Sequence, residues 1–208
     1  MKKFLSTIIV LIICAASTFC FAEPSGAMRL GILPVVKAST VTANLTAEDL
    51  EIATGIIYEG MANCGDFEIL SRTDVDKVIQ EHELTSWGLI DSSTAPEFGR
   101  MLGAEYLLIA NVTGLSNAKK SGTVFKSNKN DYDVTAKMSA RIVEVESGRV
   151  VLAATSSEIV KVKVTGTLVR IGMNNFDQGL AAEALEKSAQ SLVDKLLANL
   201  EAKKKARK

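Results

Sequence analysis

The chain has 208 residues, with 24 Lys plus Arg against 24 Asp plus Glu and a single histidine. That balance excludes a nucleic-acid binder working through a strong global positive field, and one histidine excludes a multi-histidine metal site. Apolar residues make up 47% and charged residues 23%, a mix that excludes extensive disorder and supplies a core for one domain.

The first 22 residues read as an export signal. Met1-Lys2-Lys3 is basic, Phe4 to Cys14 is almost continuously apolar, and Cys20-Phe21-Ala22 places small residues at the positions a signal peptidase reads. The apolar run is shorter than the ~20 residues of a spanning helix, so cleavage after Ala22 is expected. Neither Cys14 nor Cys20 has the small preceding residue of a lipidation site. Loss of Lys2 and Lys3 leaves 22 basic against 24 acidic residues, a net charge of −2. Cys64 then remains without an intramolecular partner; it reads as a buried inert thiol, with an intermolecular disulfide or a reactive thiol as the alternative, although no basic or histidine neighbour in sequence activates it.

From Met28 to Val36 the chain is apolar and strand-like, ending near Pro34. Thr46 with Asp49 marks a helix start, and Leu50, Ala53, Ile57 and Met61 share one face of that helix. Gly55 and Gly60 lower its propensity unless they serve close packing on a sheet; Asn63 and Gly65 stop it. Phe67–Leu70 is a short strand. Thr73-Asp74 opens a helix with Val75, Val78 and Ile79 on one face. Thr94-Ala95-Pro96-Glu97 has the pattern of a capping box before a short helix with Phe98, Met101 and Leu102, ended by Gly103.

Tyr106–Val112 reads as a buried strand. Alternation from Tyr132 to Ile142, a turn at Ser147-Gly148, and the matching parity of Val150, Leu152, Ala154, Val160, Val162 and Val164 predict a long antiparallel hairpin. A last helix spans about Gln178 to Leu200, striped by Leu185, Ala189, Leu192, Leu196 and Leu200. Residues 202–208 read as a basic tail, solvated against the helix C-terminus, with anionic lipid as the alternative contact. The order predicts an α/β fold: one domain over 23–201, with a mixed β-sheet packed with helices.

The search for chemistry yields no catalytic, cofactor-binding or metal constellation. Gly114 to Ser121 is one glycine short of a phosphate loop, with Lys119 at that place, and no amphipathic helix follows. His82 continues an apolar helix face and reads as a packing residue. Asn128 to Asp133 collects oxygen ligands but lacks calcium-loop spacing, and reads as a solvated hairpin tip. Trp87 lies in a polar connection; it is either an interface anchor or folded under its loop.

Four stretches resemble the CsgG-type curli production assembly/transport family. They are Phe67 to Leu84 with Arg72 and Glu81, Leu102-Gly103-Ala104-Glu105-Tyr106, Val143 to Val150 around Gly148, and Leu30 to Pro34. With the final helix they cover most of Met28 to Leu200. Arg72, Glu81, Gly103 and Gly148 carry the resemblance as structural positions. It implies a mixed sheet between helices, no catalytic residues and no cofactor, as in the related folds of LpoB and the TolB N-terminal domain. It further implies an exported, periplasmic binding or assembly module for curli-type secretion or surface assembly. Its partners would be envelope proteins, with outer-membrane association and homo-oligomers within the family's range and no role for nucleic acid. The alternatives are an outer-membrane channel subunit and an activator of a penicillin-binding enzyme. The segments that would form membrane hairpins, Leu115–Tyr132 and Thr155–Phe176, look short.

Overall fold

The computed structural model describes residues 28–42, 45–81, 94–124, 127–164 and 178–206. Strand β1 (Met28–Ile32) is followed by the two-residue β2 (Val36–Lys37), helix α1 (Ala47–Ala62), β3 (Phe67–Ile69), α2 (Arg72–Glu81) and α3 (Ala95–Leu102). Three long strands, β4 (Tyr106–Val124), β5 (Ser127–Glu144) and β6 (Val150–Val164), precede helix α4 (Gln178–Ala206). The sheet order is β3-β1-β4-β5-β6, with β2 paired to β4. β1 is parallel to β3 and β4, and β4-β5-β6 is an antiparallel meander, so the sheet is mixed as expected.

Strand alternation builds buried clusters on both faces of the sheet. Leu108, Ala110 and Val112 of β4 join Met138, Ala140, Ile142, Leu152 and Ala154 under α1 and α4. Leu107 and Ile109 turn to the other face and pack with Val143, Val145, Val75 of α2 and Phe98 of α3. The helical stripes behave as their spacing dictates. Ala53, Ile57 and Met61 are buried in α1, and Leu185, Ala189, Leu192 and Leu196 in α4.

α1 opens on a complete capping box. Thr46 Oγ1 accepts from the Asp49 amide at 3.1 Å, and Asp49 Oδ2 accepts from the Thr46 amide at 2.8 Å. Buried Thr54 ties this helix to the β1–β2 connection. Its Oγ1 donates to the Leu50 carbonyl at 2.7 Å and accepts from the Val35 amide at 2.9 Å.

Several expectations are corrected. Thr94 has helical backbone angles instead of the extended ones of an N-cap and makes no side-chain cap; Pro96 and the left-handed Gly103 (φ 66°) still delimit α3. Gly60 does serve close packing, but against Val193 of α4 and not the sheet, whereas Gly55 has open space beside it. Asn128–Asp133 is not a hairpin tip: it is strand, paired to β4 throughout and to β6 from Asn130 on, and Gly114–Ser121 is likewise strand. The Leu115–Tyr132 segment is therefore no short hairpin, because pairing continues to Val124↔Ser127. Val150 shares the parity of Leu152 but is 46% exposed, since it lies at the sheet's end. α4 continues through Ala206, so Lys203 and Lys204 belong to a packed helix end and not to a solvated tail.

α4 also covers the free edge of the sheet. Lys195 Nζ, Asn199 Nδ2 and Lys203 Nζ, spaced four residues apart, donate to the Thr155, Ala153 and Val151 carbonyls at 3.0, 3.0 and 2.7 Å. One face of the helix thus satisfies the alternate outward carbonyls of β6.

Candidate functional site

Several elements begin or end together where β4 begins. Gly103 turns the chain out of α3, the Glu105 amide donates to the Arg29 carbonyl, and the Val145 amide donates to the Glu105 carbonyl, both at 2.9 Å. β4 and β5 are registered there by Tyr106↔Glu144. The next turn is closed by Gly148 (φ 68°), whose amide donates to the Glu144 carbonyl at 2.8 Å.

This turn carries a compact charged network. Glu144 Oε2 accepts from Ser147 Oγ and from Arg149 Nη2, the latter at 3.1 Å. The Ser147 hydroxyl first, and the Arg149 guanidinium second, hold the Glu144 carboxyl below its usual range. On α4, Lys204 pairs with Asp66 and with Glu201, and these partners, Asp66 foremost, raise its ammonium above its usual value.

Between this turn and the end of α4 lies a cavity of about 230 Å³. Met28, Phe67, Tyr106, Ile142, Leu152 and Leu200 form its apolar walls, and Glu144, Arg149 and Lys203 line it as well. Phe67 and Tyr106 meet edge to face, with ring centroids 6.3 Å apart and planes at 67°. Tyr106 and Glu144 also line a neighbouring cavity of about 340 Å³, with Arg100, Glu105, Val145 and Glu146. A third cavity, about 240 Å³, sits at the β-bulge between Val112 and Gly114 and is lined by Thr40, Thr42, Thr113, Thr135 and Lys137.

The expected positions are only partly brought together. Gly103 and Gly148 shape the end of the sheet that holds the first two cavities. Arg72 lies at the opposite end of β3, at the start of α2, where its Nη2 pairs with Glu51 at 3.1 Å. Glu81 is the last residue of α2. Ala22, His82 and Trp87 lie outside the described residues. Cys64 is half-buried, with Sγ 3.0 Å from the Met61 carbonyl. Among the described residues no group of three His, Cys, Asp or Glu side chains could hold a metal ion. None of their helices is long and apolar enough to cross a membrane. The apolar cavity residues were not legible as a site because each satisfies the pattern of an ordinary core position; Phe67, Tyr106 and the Gly148-Arg149 turn were marked only as parts of family-like stretches.

The chain matches the family described as the curli production assembly/transport component CsgG over residues 35–208. The chain belongs to the CsgG family. Comparison with curated proteins gave no match. Among solved structures, it is similar to a putative neuraminyllactose-binding hemagglutinin homolog from Helicobacter pylori, at 8% identity and TM-score 0.51, covering 86% of this chain and 85% of that one. The LpoB C-terminal domain from Salmonella enterica aligns at 17% identity and TM-score 0.44, over 63% of this chain and 82% of that one. Lipoprotein GNA1162 from Neisseria meningitidis aligns at 12% identity and TM-score 0.46, over 80% and 99% respectively. At these identities the likeness concerns the fold alone. CsgG membership places the chain with envelope-assembly components, and its mixed sheet, flanking helices and long C-terminal helix are those of one α/β domain.

Proposed function

We propose that this CsgG-family protein is a periplasmic, non-catalytic binding and assembly module serving envelope secretion or surface assembly. The observation that carries the reading is the family match across 35–208. Cleavage after Ala22 would release the domain into the periplasm, as the N-terminal pattern implies. Its partners are envelope proteins, and Trp87 is a candidate contact in the α2–α3 connection. The test is size-exclusion chromatography with light scattering on the exported chain, with and without detergent, followed by capture of partners from periplasm. A small, detergent-independent species that captures an envelope protein supports the reading. Hydrolase activity that disappears with one point substitution overturns it.

A second reading, an outer-membrane channel subunit, has a specific observation in its favour. From Leu115 to Val124 the β4 arm continues, paired with β5 throughout, for the ~9–11 residues a membrane strand requires. A large discrete ring appearing only in detergent would put that reading first.

A further inference from the structure

We propose that the cavity beside the Gly148 turn is an anchor pocket for one large apolar side chain carried on an acidic segment of an envelope protein. This rests on the binding-module reading and specifies its surface.

Size limits the occupant. At about 230 Å³ the cavity falls below the ~300–1,000 Å³ of sites for drug-sized ligands and cofactors, which suits a single side chain. The walls limit its chemistry. Phe67, Tyr106, Ile142, Leu152 and Leu200 surround the space with hydrocarbon and ring surface, the setting in which a buried aromatic or aliphatic anchor gains most. Val150, 46% exposed at the same end of the sheet, adds apolar surface that a bound segment would cover.

Charge chooses the flanking residues. Glu144 is compensated within its own turn by Ser147 and Arg149. Arg149 remains three-quarters exposed at the side chain, and its fork has donors beyond the two atoms this turn uses. Lys203 Nζ spends one donor on the Val151 carbonyl, which leaves two. Lys204, already paired with Asp66 and Glu201, adds no free charge there, and Lys205 follows it on the same helix end. With Arg149 and Lys203 against the single carboxylate of Glu144, the mouth carries a net positive charge, and an apolar hole so lined favours an apolar residue flanked by carboxylates.

The test is backbone amide NMR of the exported chain titrated with three capped pentapeptides, DDFDD, DDADD and KKFKK. The expected result is binding of DDFDD at least tenfold tighter than either control, with shifts at Ile142, Leu152 and Leu200. Leu200→Phe, which fills the cavity, and Arg149→Glu, which reverses the mouth, should each weaken it about tenfold while the melting transition is retained. Equal binding of DDFDD and DDADD overturns the proposal, because charge alone would then suffice. So does equal binding of KKFKK, absence of binding, or response only to anionic lipid vesicles. A periplasmic partner whose capture survives Arg149→Glu and Leu200→Phe overturns this site and leaves the assembly reading standing.

Discussion

Alanine at Gly60 and alanine at Gly55 should move stability in opposite directions, although both lie in α1 five residues apart. Replacing a helical glycine by alanine gains about 1 kcal/mol of intrinsic propensity. At Gly55 an added Cβ meets nothing within 4 Å, so that gain should appear in full. For a domain of this size it raises Tm by about 2–4 °C. At Gly60 the Cβ would stand 2.4 Å from Val193 Cγ1, 3.1 Å from Cγ2 and 3.3 Å from Cβ. Carbon contacts are comfortable at ~3.5–4.0 Å, and valine's stiff χ1 gives it no easy retreat. α1 and α4 must therefore separate by about 1 Å. Overpacking costs ~1–3 kcal/mol, and a clash this close belongs at the upper end. The net change for Gly60→Ala is then a loss of about 2 kcal/mol. In Gly60→Ala/Val193→Ala the new methyl enters the space vacated by valine, so a double-mutant cycle should show favourable coupling of about 1–3 kcal/mol. Urea unfolding followed by circular dichroism measures all four proteins. A Gly60→Ala variant as stabilised as Gly55→Ala, or a cycle with no coupling, would refute the close approach of the two helices.

The other expectations follow from named contacts. Ser156 Oγ and Ser188 Oγ share a buried hydrogen bond of 2.7 Å between β6 and α4, so Ser188→Ala should cost about 1–3 kcal/mol by orphaning Ser156. Replacing both serines by alanine should cost less than the sum of the two single changes in the same urea assay. Thr46→Ala should lose about 1 kcal/mol by opening the α1 capping box. The Glu144 carboxyl is lowered in the folded state, so its contribution is present above the ordinary carboxylate range and is lost as pH falls through the lowered value. Acid titration of Glu144→Gln should accordingly lose part of the parent's pH dependence, and an unchanged profile would contradict the turn network. Lys195→Ala/Asn199→Ala/Lys203→Ala uncovers three outward carbonyls of β6. Light scattering should then show concentration-dependent association beyond that of the parent, because an open edge templates strand addition.

What the sequence by itself determined is what local periodicity can encode. Alternation from Tyr132 to Ile142 marked a strand with one buried face, and the leucine spacing of α4 marked the face that meets the sheet. Thr46 with Asp49, and glycines at 103 and 148, were legible because caps and left-handed turns depend on near neighbours. The ordered resemblance to CsgG was legible for the same reason. Only the tertiary structure decided the rest. Lys203 and Lys204 read as members of a basic run, because nothing near them in sequence shows that one will meet Val151 and the other Asp66. Asn128–Asp133 read as a polar tip, because pairing to β4 and β6 supplied the order that its composition did not suggest. Gly60 could be flexible or crowded until Val193, 133 positions away, was packed against it. The cavity is the furthest from sequence. Its walls come from β1, β3, β4, β5, β6 and α4, and each wall residue obeys the pattern of its own element. An empty space is set by where elements stop against one another, and a one-dimensional pattern records which face is apolar but not where its coverage ends.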